Sequence, residues 1–141
     1  MTIRRLSPTR LVAGPDDVID LGGGAAGASI TVGAENSNVR AIAVQLKDGQ
    51  GRDLAVRAAV HLAVFADANG DTFAGTGGST GIAAGTDGAL LPIVAKKLFL
   101  AVSEADGDID LTWTDTSTEA AYLGVILPGG KVIISAALTN S

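Results

Sequence analysis

Residues 109–114 read Ile109-Asp110-Leu111-Thr112-Trp113-Thr114. Large apolar and small polar side chains alternate at every step. A period of two sends Ile109, Leu111 and Trp113 to one face of an extended chain and Asp110, Thr112 and Thr114 to the other. This is the pattern of a strand with one buried side, and it predicts Trp113 in the core. The same rhythm recurs outward in both directions. Leu54–Phe65 is the longest run, with Val56, Ala58, Val60, Leu62 and Val64 on one face and Arg57 and His61 on the other. Tyr122–Leu127 and Lys131–Thr139 flank Pro128-Gly129-Gly130 as a hairpin, with Val132, Ile134, Ala136 and Leu138 expected to share a face.

The rest of the chain supplies more short apolar runs: Val18–Leu21, Ala28–Val32, Val39–Leu46, Leu90–Val94 and Lys97–Ser103. Pro92 cannot donate to a ladder, so Leu90–Val94 is expected at an edge or a bend. Lys47–Gly51 and Asp67–Asp71 are turn signals. Thr72–Gly88, rich in Gly, Thr and Ser, reads as a long loop with one short edge strand. About eight or nine strands at roughly 8–12-residue spacing predict an all-β fold, an antiparallel β-sandwich of jelly-roll type.

Composition agrees with one domain of this kind. The chain has 141 residues, of which 47% are apolar, so a core can form without staples. Only 4% are aromatic, so that core must be built from Ala, Val, Leu and Ile. There is no Cys, which excludes disulfides, zinc-thiolate sites and Cys nucleophiles together. A net charge of −5 argues against a nucleic-acid partner for the body of the domain. No apolar run reaches the roughly 18 residues of a membrane helix, and Met1–Gly14 lacks the apolar stretch of a secretory signal. The N-terminus stands apart. Arg4, Arg5 and Arg10 give it a local charge of +3 with no acid before Gly14, which leaves −8 in the remainder. Residues 1–17 are therefore expected as an extended basic arm, with these three arginines as partner-binding candidates, and residues 18–141 as the sandwich.

The motifs that carry chemistry elsewhere fail on their own terms. The only His, His61, sits in mid-strand, and no GxSxG elbow exists to pair a nucleophile with it. Gly22–Gly27 matches a dinucleotide fingerprint in letters, but Ser29-Ile30-Thr31-Val32 after it is strand-like, where the chemistry needs a helix N-terminus. Asp67-Ala68-Asn69-Gly70-Asp71 begins like a calcium loop, yet Thr72 and Gly78 stand where that loop needs Gly and Glu. Glu104, Asp106, Asp108 and Asp110 alternate, so Asp106 to Asp110 would share one face if extended. Their mutual repulsion leaves two readings open, a weak calcium site or acidic docking patch, and a solvated strand end that protects an edge. The expectation is a structural or binding module and no enzyme, with no catalytic residues, no cofactor, no resident metal, no nucleic acid and no membrane.

Three segments carry a family likeness. Gly85–Gly88, Lys97–Asp110 and Tyr122–Lys131 resemble segments of tailed-phage structural proteins, above all the small cement or decoration proteins of icosahedral heads. The resemblance spans roughly residues 28–139. It implies a jelly-roll homodimer on the outer surface of the virion capsid, made in the host cytoplasm, that bridges neighbouring major capsid protein subunits. A head or tail fibre module that binds a receptor, and a calcium-dependent binding domain built on Asp106–Asp110, are the alternatives.

Overall fold

The structure, a computed structural model, describes residues 24–141 in full and, before them, the backbone of three short strands, β1 (Arg4–Ser7), β2 (Arg10–Val12) and β3 (Val18–Asp20). These three pair antiparallel in the order β1-β2-β3. Among the described residues there is no helix.

Nine further strands form two antiparallel sheets. In chain order they are β4 (Gly27–Val32), β5 (Val39–Lys47), β6 (Ala59–Phe65), β7 (Gly81–Ala84), β8 (Ala89–Val94), β9 (Leu98–Val102), β10 (Asp108–Thr114), β11 (Tyr122–Ile126) and β12 (Val132–Ala137). One sheet has the order β4-β5-β10-β7 and the other β12-β11-β6-β9-β8. The chain crosses between sheets after β5, β6, β7, β9 and β10, an interleaving that gives the sandwich its jelly-roll-like character. β4–β5, β8–β9 and β11–β12 stay within a sheet as hairpins. The open seams of the sandwich bring β12 beside β4 and β7 beside β8.

The core lies between the sheets and follows the period of two. Ile109, Leu111 and Trp113 of β10 face Ile42, Val44 and Leu46 of the same sheet and Val60, Leu62, Val64, Leu123 and Val125 of the other, all essentially buried. Trp113 and Phe99 are its only large aromatics. Trp113 lies so close to the β7 approach that position 78 has no room for a side chain. A Cβ there would sit 2.8 Å from Trp113 Cη2 and 2.9 Å from the Thr114 carbonyl oxygen, and Gly78 has φ of +82°.

Two expectations need correction. Val56 was expected on the buried face of one long strand. The strand begins only at Ala59, and Val56 is exposed while Leu54 and Ala58 are buried. The segment 54–58 carries the chain from β5 to β6, so alternation does not hold there. In β12 the expected face of Val132, Ile134, Ala136 and Leu138 is split. The pairing slips by one residue between Gly124↔Ile134 and Tyr122↔Ala137, a bulge that transfers the inward parity from odd to even. Ile133 and Leu138 pack on the core, and Val132 and Ile134 face outward. The buried Ser135 hydroxyl fills the gap in the ladder, accepting from Leu123 N at 2.9 Å and donating to the Ala136 carbonyl at 2.7 Å.

One end of the sandwich is held by side chains bonded to backbone. Glu119 accepts from the Thr76, Gly77 and Gly78 amides at 2.6–2.9 Å, and Lys96 donates to the Gly78 and Ser79 carbonyls. Asp115, buried, accepts from Ser79 N, Ser117 Oγ and Glu119 N. Burial pushes its carboxyl up, but these hydrogen bonds outweigh burial and hold it below the usual value. Arg40 donates to the Gly33, Leu138 and Thr139 carbonyls and to Asn140 Oδ1, fastening the C-terminal residues to β5.

Two stability predictions follow. Gly78→Ala combines positive φ with a backbone clash and should cost about 2–3 kcal/mol in denaturant unfolding. Asp115→Ala leaves the part-buried Ser79 and Glu119 amides without their acceptor and should cost about 1–3 kcal/mol at pH 7. A depressed folded-state value means the unfolded chain binds the proton more readily. The stabilisation is therefore complete above the ordinary carboxylate range and is lost as pH falls through the folded value. The gap between wild type and Asp115→Ala should accordingly narrow in acid; a gap that is constant from pH 7 to pH ~3 would refute this account.

Candidate functional site

The two sheets present very different outer faces. On the four-stranded sheet the outward positions are small or polar: Ser29 and Thr31 on β4, Ala41 and Ala43 on β5, Thr112 and Asp110 on β10. All of these but Ser29 line an open depression of about 390 Å³, bordered by Gly85 and Thr86.

The acidic group lies at the rim of this depression, and its membership differs from the one read in sequence. Asp108 and Asp110 are joined by Asp87, not by Asp106 or Glu104. One carboxylate oxygen from each of the three lies within 4.8 Å of the others. The β7–β8 connection brings Asp87 in: Gly85 N donates to the Asp110 carbonyl at 2.7 Å and Asp110 N to the Asp87 carbonyl at 2.9 Å. Thr86 Oγ1 donates to Asp110 Oδ2 at 2.7 Å. Asp106 turns back on its own loop, accepting from Asp108 N, and Glu104 pairs with Arg57 at 3.1 Å. Partial burial, a hydrogen bond with Asp87 and the charges of Asp110, Asp87 and Asp106 push the Asp108 carboxyl above its ordinary value. Nothing local in the sequence links residue 87 to residues 108–110; only the pairing of β7 with β10 does.

The outer face of the five-stranded sheet is apolar almost throughout. Its central strand β6 turns Ala59, His61, Ala63 and Phe65 outward, since Val60, Leu62 and Val64 point into the core. Beside His61 lie Leu100 of β9 and Ile126 of β11. Leu100 is followed by Leu91 of the edge strand β8, and Ile126 by Val132 of β12. Leu91, Ile93 and Val94 are 50–60% exposed, and Phe73, stacked on Phe65 with ring centroids 5.9 Å apart, is 48% exposed. Gly124 makes room for this stack: a Cβ there would lie 2.3 Å from Phe65 Cε2. His61, exposed and flanked by hydrocarbon, has neither a carboxylate nor a hydroxyl nucleophile beside it in the register.

The other sequence-marked residues fall into structural roles. Asp67–Asp71 is a turn, with Asp67 Oδ1 accepting from the Asn69 and Asp71 amides, chiefly the latter holding its carboxyl below the ordinary value. Gly27 opens β4, while Gly22 and Gly23 lie outside the described residues. Arg4, Arg5 and Arg10 fall in β1 and β2, and their side chains lie outside the described residues.

Asp108 generates a prediction opposite in sign to that of Asp115. Its raised value means the native state holds the proton more tightly than the unfolded chain, so its contribution is lost as pH rises through the folded value. Asp108→Asn is neutral at every pH. It should melt above the wild type at pH 7, and the advantage should close below pH ~3.9. A variant that melts lower at pH 7 would show that the carboxylate is stabilising where it stands.

No family model matches this chain, and neither a curated protein nor a solved structure matches it.

Proposed function

We propose that this chain is a structural virion protein, a cement protein that binds the outer surface of an icosahedral phage capsid and ties neighbouring major capsid protein subunits together. The observation that carries the reading is the apolar outer face of the five-stranded sheet. Exposed apolar side chains gathered on one sheet face mark protein–protein contact, and Leu91, Ile93, Val94, Val132 and Phe73 are all exposed there. The phage-like segments add the identity of the partner. They build β9, the turn after it and the first three residues of β10, β11 with its hairpin turn, and the β7–β8 turn. A cementing role needs many identical weak contacts rather than a reaction, because repetition around a shell multiplies them. Arg4, Arg5 and Arg10 supply a basic segment for an acidic groove between capsid subunits.

Quantitative mass spectrometry of purified phage particles tests the reading directly. A copy number comparable with that of the major capsid protein is expected; absence from the particle overturns it. Deletion of residues 2–10 should weaken shell binding while leaving thermal unfolding of the sandwich unchanged, and full occupancy by the truncated chain would remove the arm from the contact.

The acidic trio supports a second reading, calcium-dependent binding. A cation between Asp87, Asp108 and Asp110 would relieve their repulsion, and a ligand that binds only the folded state raises Tm. Millimolar calcium should then raise Tm in the wild type and not in Asp108→Asn. An unchanged wild-type transition removes this reading.

A further inference from the structure

We propose that Asn69 is a site of spontaneous covalent modification, where the Gly70 amide nitrogen attacks the Asn69 side-chain amide and the chain deamidates before it does so at Asn36, Asn38 or Asn140. The proposal stands apart from the cement reading, since it concerns the turn after β6 and needs no partner.

The nucleophile is the least restrained amide of its turn. Asp67 Oδ1 accepts from Asn69 N at 2.9 Å and from Asp71 N at 3.1 Å. Gly70 N lies between them and reaches only the Asp67 carbonyl oxygen, at 3.4 Å. A well-formed N–H···O bond is shorter, roughly 2.7–3.2 Å. Gly70, with φ of +76°, also has no Cβ to obstruct its approach to the neighbouring side chain. Asn69 is exposed, so water reaches it, and among the described residues no group bonds to its side-chain amide.

The other three asparagines are held or crowded. Asn140 is buried. Its Nδ2 donates to the Asn38 and Asp115 carbonyls at 2.8 and 2.9 Å, and its Oδ1 accepts from Arg40. The amide that would attack it, Ser141 N, donates to Glu35 at 2.8 Å. Asn38 precedes the β-branched Val39, whose amide donates to the Asn36 carbonyl at 3.1 Å. Asn36 precedes Ser37, which carries the Cβ that Gly70 lacks, and its Oδ1 accepts from Ser37 Oγ at 3.3 Å.

The reaction balances with water alone. Hydroxide takes the proton of Gly70 N. The N–Cγ bond to Asn69 forms, the Cγ–Nδ2 bond breaks, and Nδ2 leaves as ammonia with a proton from water, which regenerates the hydroxide. The product is a cyclic imide. Water then opens it at one of its two carbonyls. Opening at the side-chain carbonyl leaves an aspartyl residue in the original chain. Opening at the main-chain carbonyl routes the backbone through the side chain, an isoaspartyl link one methylene longer. Either product puts a further negative charge between Asp67 and Asp71. The longer link also distorts the turn that Ala66 N closes on the Thr72 carbonyl, on which the Phe65–Phe73 pairing and ring stack stand.

The test incubates the folded full chain in mildly alkaline buffer and maps its peptides by mass spectrometry, with isoaspartate counted by protein isoaspartyl methyltransferase. Asn69 should convert first, into two products of equal mass, with a more acidic band on isoelectric focusing and a rate that rises with pH. Asn69→Gln, which would have to close a larger ring, should lose the early acidic band and the early isoaspartate. Earlier conversion of Asn36, Asn38 or Asn140 overturns the proposal. So does an acidic band that Asn69→Gln forms at the wild-type rate, or an Asn69 that stays intact in the folded chain while it converts in urea.

Discussion

Strand β6 is apolar on both sides, and that constraint governs the rest of the molecule. Val60, Leu62 and Val64 fill the core, while Ala63 and Phe65 on its other face are also buried. A strand in this position needs cover twice. The four-stranded sheet covers the inner side, where Ile42, Val44 and Leu46 of β5 and Ile109, Leu111 and Trp113 of β10 share the core with it. The outer side is covered only in part, by the Phe65–Phe73 stack at one end and by neighbouring side chains of β9 and β11. What remains open is the apolar sheet face with His61 in its middle.

The polar groups are distributed accordingly. Carboxylates and basic side chains are displaced to the ends of the sandwich and to the outer face of the four-stranded sheet. There they bond to loop backbone: Glu119 and Asp115 to amides, Lys96 and Arg40 to carbonyls. Each such bond is charge-assisted and stronger than a neutral one. They hold long connections in place without helices and without disulfides. The arrangement leaves one face of the molecule nearly free of charge while the ends carry it.

Much of this was legible in sequence, and the reasons for the failures are physical. β10 was read correctly because its two faces differ in polarity at every residue. The edge position of β8 followed from Pro92, and the short edge strand within Thr72–Gly88 was found as β7. Val56 misled because alternation continues in letters after the chain has left the sheet. β12 misled because a bulge changes parity without changing composition, and the one sign of it was Ser135 among apolar residues. Asp87 could not be placed beside Asp108, since that contact depends on the long-range pairing of β7 with β10. The apolar outer face had a signal that period-two reading passes over. The strands of the five-stranded sheet, such as Leu98–Val102 and Tyr122–Ile126, are nearly continuous apolar runs, whereas those of the other sheet alternate.

The acidic trio and the apolar face lie on opposite outer surfaces, and their chemistry divides the work between them. The trio is a site of like-charge repulsion: three carboxylates converge and one of them is pushed toward its protonated form. A fold that needed only solubility could place those charges apart at no cost. Convergence instead concentrates negative charge on that surface, while the outward strand positions of the opposite surface carry no Asp, Glu, Lys or Arg among the described residues.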